Sequence, residues 1–219
     1  MCGGGASTFV LPVKLANKKC VLNIETSNDQ DCFKYAIVAS LHHAEVVDQN
    51  NKNRRVKYEL FLTQYDFTNL KFPATDAEII KFQKQNKSVA VNAFLYNHEE
   101  QLDGKRVTPL YHPPLSIEKD RKLANILLVN DHWLPVTNIN RLLSSQTEDN
   151  RRDDSAYCHR CMRNCFTPAK LKEHLKGCYK TVGQKEIMPD ASKAKMEFDD
   201  VVTSVCDLLG HRSDFREVR

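Results

Sequence analysis

The chain has 219 residues, 41% hydrophobic and 27% charged, with a formal net charge of +4. That balance fits a globular chain with one medium domain plus a small module, and it excludes collagenous or low-complexity classes. No run approaches the ~20 apolar residues that cross a bilayer, and residues 1–9, MCGGGASTF, lack the charged-then-apolar pattern of a secretory signal.

Residues 1–18 read as a flexible lead-in. Residues 19–24 (KCVLNI) have the content of a short strand. The polar run 27–31 is a turn able to cap a helix over residues 32–42, CFKYAIVASLH. On that helix Phe33, Ile37 and Leu41 share a face, with Ala36 and Ser40 beside them. Residues 44–56 read as a loop, and Tyr58, Leu62 and Tyr65 have helical spacing. Lys71-Phe72-Pro73 ends that pattern. Residues 76–86 predict an amphipathic helix carrying Ile79, Ile80 and Phe82. Residues 88–96 and 107–111 predict strands. Residues 125–136 (NILLVNDHWLPV) predict a hairpin, because Asn130 and Asp131 both tolerate left-handed turn conformations. A short helix follows over 138–143, and then a charged linker over 144–155.

Residues 156–182 carry the sharpest motif, CHRCMRNCFTPAKLKEHLKGC. Cys158 and Cys161 form a Cys-x2-Cys turn, and 12 residues later His174 and Cys178 are four apart, one face of a helix. Four N or S ligands in that spacing predict one structural Zn2+. Thr167 followed by Pro168 is a helix start, with the hydroxyl as cap and proline in the first turn. Leu171 is expected to pack under the metal with Phe166 and Tyr157. Cys165 reads as a buried thiol beside Phe166, and His159 as a solvent-facing residue inside the Cys-x2-Cys turn. Beyond the finger, residues 183–219 read as a tail with a short helix containing Phe198, Val201, Val205 and Leu208.

Charge is unevenly placed. Residues 151–195 hold 11 Lys or Arg against 5 Asp or Glu, and the rest of the chain is slightly acidic. A basic finger favours a polyanion such as DNA. If the helix starts at Pro168, Thr167, Lys170 and Glu173 are the positions that face bases, and Lys170, Lys172 and Lys176 can meet phosphates. A zinc-stapled module that docks on protein is equally compatible with this pattern.

The order of CFKYAIVASLH (32–42), LKFPATDAEIIKFQKQNKSVAVNAFLY (70–96), ANILLVNDHWLPVTNINRLL (124–143) and the Cys-Cys-His-Cys finger resembles a known arrangement. It is similar to the region before the exonuclease domain in protein-primed family B DNA polymerases of Maverick/Polinton-type transposons. The resemblance spans residues 19–190. It implies a mobile-element origin and a role near DNA, which would place the protein in the nucleus. It implies no polymerase activity in this chain, where the Asp-x-Glu exonuclease motif and the polymerase carboxylates do not follow the finger.

A second chemistry is legible in the N-terminal part. Cys32 at a helix start, His132 about 100 residues later on a strand, and then Asn138 or Asn140 follow the chain order of papain-like cysteine proteases. A helix N-terminus lowers a thiol's pKa. The alternative is that Cys32 packs as a small apolar side chain and His132 is an ordinary hairpin residue. The expected class is therefore α+β: a small mixed domain over 19–143, papain-like in the alternative, then a ββα-type finger and a helical tail.

Overall fold

The structure is a computed structural model, and it describes residues 9–26, 31–46, 51–97, 106–114, 118, 120–144 and 156–178. The expected linker, apart from Ser144, and the expected tail helix lie outside the described residues. The protein is mixed α+β. Its strands are β1 (Val89–Tyr96), β2 (Val107–Tyr111), β3 (Lys122–Val129) and β4 (His132–Pro135). They form one sheet in the order β2-β1-β3-β4. The central β1–β3 pair is parallel, and β2 and β4 flank it antiparallel.

The β3–β4 turn shows why its residues were legible. Asn130 and Asp131 have φ of 46° and 60°, the pair of left-handed conformations that a two-residue hairpin requires. Alternation along the strands then sorts side chains between two faces. Val89, Val91 and Ala93 of β1, Ala124 and Ile126 of β3, and Trp133 of β4 point to one face. Helices α2 (Cys32–His42) and α4 (Asp76–Gln85) cover it with Phe33, Ala36, Ile37, Ile79 and Phe82. Phe94, Leu127, Val129 and Leu134 point to the other face. There α1 (Val13–Lys18) and α5 (Ile139–Leu143) contribute Leu15, Leu142 and Leu143, and Tyr157 from the finger region joins them.

Three expectations change. Residues 19–24 make no strand ladder; Val21 forms a single bridge with Val136, and the Leu22 amide donates to the Pro135 carbonyl at 3.2 Å. The helix expected through Tyr58, Leu62 and Tyr65 is a 3-10 turn (Arg55–Lys57) and one α-turn, α3 (Glu59–Leu62). Tyr65 lies beyond it because its hydroxyl bonds His42 Nε2 at 2.7 Å, while the Phe61 ring stacks on the same imidazole at 4.2 Å. The lead-in contains α1, held by fully buried Leu15.

Candidate metal centre

The finger is assembled from backbone contacts that the sequence encodes locally. Tyr157 and Asn164 form one antiparallel bridge, and the Cys158 amide donates to the Arg163 carbonyl at 3.0 Å. Met162, with φ of 56°, closes the Cys-x2-Cys loop, and its amide donates to the Cys158 carbonyl at 2.8 Å. Helix α6 (Pro168–Cys178) starts where expected. The Lys170 amide donates to the Thr167 hydroxyl at 3.3 Å, a side-chain cap.

These elements bring Cys158, Cys161, His174 and Cys178 together, with all four ligand atoms within 4.8 Å of one another. Cys158 Sγ and Cys178 Sγ are 3.8 Å apart, and Cys161 Sγ and His174 Nε2 are 3.2 Å apart. Two thiolates on a tetrahedral ion with bonds of about 2.3 Å lie roughly 3.8 Å apart. The group can therefore hold one metal ion. Without an ion, burial pushes the Cys158 thiol up to about 12, and burial followed by the charge of Cys161 also raises Cys178, so an ion binding here has to displace thiol protons. Neighbouring thiolates in a buried site repel and are poorly solvated, and a divalent cation reverses both penalties.

The remaining finger residues divide. Cys165 is buried with Cys158, Cys178, Leu171 and Leu175, as expected of a packed thiol. Phe166 does not pack under the metal; it is 45% exposed, with the Lys170 ammonium 5.9 Å from its ring centroid. Its φ of 63° turns the chain outward before the helix. Tyr157 packs on the sheet rather than on the ligands. Lys170, Lys172, Glu173 and Lys176 are all exposed on α6, whereas Thr167 is half-buried and its hydroxyl accepts the cap hydrogen bond.

His159 is the clearest departure. Expected to face solvent, it is largely buried and its Nε2 lies 2.5 Å from Glu118 Oε1. Arg160 Nη1 donates to Glu118 Oε2 at 2.7 Å and to the Pro113 carbonyl at 3.4 Å. Asn92, fully buried on β1, donates from Nδ2 to Asn125 Oδ1 at 3.0 Å and to the His159 carbonyl at 3.2 Å. Its Oδ1 accepts from His112 Nδ1. Burial, then the positive charges of His159 and Arg160, lower the His112 pKa to about 4, so this ring is neutral. No motif marked Glu118, His112 or Asn92, because their roles arise only when β1, β2 and the Cys-x2-Cys loop meet. Asn92 gave one faint signal: a polar residue inside an otherwise apolar strand.

The protease-like trio is distributed differently. Cys32 is buried at the start of α2, and its Sγ accepts from the Trp133 amide at 3.5 Å. Trp133 and Cys32 share one face of the sheet. His132, one residue earlier on β4, is turned to the other face, where its ring stacks on Phe9 at 4.5 Å and 7°. Asn138 caps α5 by accepting from the Arg141 amide at 3.0 Å. Among the described residues, no helix is long and apolar enough to cross a membrane. Comparison with protein-family models, curated proteins and solved structures returned no match to this chain.

Proposed function

We propose that this protein is a zinc-binding, nucleic-acid-associated module, derived from the N-terminal region of a transposon DNA polymerase and without polymerase activity of its own. The observation that carries the reading is a tetrahedral-sized Cys3His cluster whose two C-terminal ligands ride on α6, a helix with Lys170, Lys172 and Lys176 exposed. Three thiolates and an imidazole are the donor set that suits Zn2+. Lysines on a helix held by the metal suit phosphate oxygens, and a nucleic-acid backbone presents a dense row of them. One finger reads only about 3 base pairs, so the contact is backbone-directed rather than sequence-specific. A nuclear location goes with this reading.

The test is binding of the Zn2+-loaded full chain to labelled duplex and single-stranded oligonucleotides across a salt series. Lys170→Gln, Lys172→Gln and Lys176→Gln together should flatten the dependence of log K on log salt by roughly 2–3. Absence of salt-dependent binding in the wild type sinks the nucleic-acid reading. A zinc-stapled protein-docking module would then stand.

A further inference from the structure

Two of the four metal ligands are held by a loop whose intervening residues, His159 and Arg160, are both anchored on one buried carboxylate. The Glu118 side chain is 4% exposed, and each of its oxygens faces a different loop residue, at 2.5 and 2.7 Å. Asn92 fixes the same loop through the His159 carbonyl. Asn92 is itself fixed from two sides, by Asn125 on β3 and by neutral His112 beyond β2. The other two ligands sit on α6, which meets the loop through Leu171, Leu175 and the buried cysteines. The cluster thus joins a half seated on the sheet to a half that reaches the sheet through the finger.

We infer that Glu118 is a positioning residue for the metal centre, seating the Cys158–Cys161 loop so that metal occupancy and the packing of that loop on the sheet are thermodynamically linked. This rests on the metal-centre reading. A loop held in its ligating geometry before the ion arrives loses less conformational freedom on binding. Coupling is reciprocal, so the ion must reinforce the seat by the factor that the seat contributes to ion affinity. Groups outside the first coordination sphere commonly change metal affinity by 10–100-fold. Glu118→Gln keeps the side-chain shape but turns an amide N–H2 toward either the Arg160 guanidinium or the His159 ring.

The experiment uses the full chain and Co2+, whose visible absorption reports a tetrahedral thiolate-rich site. The wild type should bind one Co2+ and exchange it for Zn2+. Glu118→Gln should give the same absorption band, because the ligands are unchanged, with affinity on the order of tenfold weaker in competition with a chromophoric chelator. It should also lower the Tm of the metal-loaded protein more than that of the chelated protein, a difference that a purely structural role of Glu118 would not produce. Equal affinity with equal Tm losses overturns the inference. If Glu118→Gln fails to fold, hydrogen exchange on the wild type decides. Chelation should deprotect the amides of β1 and β3 around Asn92 and Asn125, and unchanged protection there overturns the inference. Failure of the wild type to give a tetrahedral Co2+ spectrum is a separate result, which removes the metal centre and the inference with it.

Discussion

At the scale of single residues, the finger holds more candidate donors than a tetrahedral ion needs. Cys165 packs with Cys158 and Cys178, yet its thiol donates toward the Arg163 carbonyl at 3.7 Å and burial raises its pKa. It is core, not ligand. Cys165→Ala should therefore retain one bound metal with an unchanged Co2+ spectrum. Cys158→Ser should lose tight binding, because a serine hydroxyl does not ionise at neutral pH to replace a thiolate. Titration of metal against protein for the two variants checks this, and loss of binding in Cys165→Ala would reassign the ligand set.

A different pair of groups ties the fold to alkaline pH. Burial pushes the Cys20 thiol from its ordinary 9.0 up to about 11, and the Tyr58 phenol from 10.0 up to about 12. Both side chains are fully buried. Between those values the folded chain binds more protons than the unfolded one, so stability falls as pH rises. The contribution is complete below about pH 9 and drains away between about 9 and 12, on the order of 2–3 kcal/mol for each group. Urea midpoints at about pH 8 and about pH 10.5 should show the loss. Cys20→Ala with Tyr58→Phe should flatten the profile, and an identical slope in that double variant would refute the assignment.

Among secondary-structure elements, those that were legible carry their own periodicity. Helix α4, β1, β2 and the β3–β4 hairpin declare themselves through spacing, β-branched content and a turn pair that tolerates positive φ. The segment 19–24 reads as a strand by composition, yet β4 is short and ends at Pro135, and the segment makes a single bridge, Val21 with Val136, just past its end. The stretch after Tyr58 has helical spacing, but the imidazole of His42 recruits both Phe61 and Tyr65 and ends the helix early. Propensity lost to tertiary contacts in both cases.

Gln83 shows the same override working in favour of the fold. Nearly fully buried on α4, it donates to the Tyr111 hydroxyl on β2 at 2.7 Å and accepts from the Val91 amide on β1 at 2.7 Å. One side chain thus joins three elements. Gln83→Leu keeps the volume but removes the acceptor of a buried amide, which costs about 1–3 kcal/mol. Chemical denaturation should register that loss, and a neutral or stabilising result would mean that water or a local shift satisfies the amide.

The whole molecule depends on the seam between sheet and finger, and here spacing alone was a poor guide. Cys158, Cys161, His174 and Cys178 were legible because a tetrahedral ion imposes a fixed ligand spacing on the chain. What the finger rests on was not legible, since the polar run before it suggests two modules that fold separately. Yet Tyr157, adjacent to the first ligand, is buried among Phe94, Leu127, Leu142 and Leu143. Its amide donates to Asn140 Oδ1 at 2.9 Å, and its hydroxyl to the Ser144 carbonyl at 3.4 Å. A residue of the finger thus completes the core on one face of the sheet. Tyr157→Ala would empty that volume and should cost on the order of 3 kcal/mol, as other buried aromatic truncations do. Tyr157→Phe keeps the ring and should cost about 1 kcal/mol. Two independent modules would predict otherwise: Tyr157→Ala would disturb the metal site and leave the unfolding of residues 19–143 untouched. Thermal unfolding followed by amide exchange in β1 and β3 separates the outcomes. Early exchange of those strands in Tyr157→Ala is the expected result, because their outer face then lacks the ring that closes it.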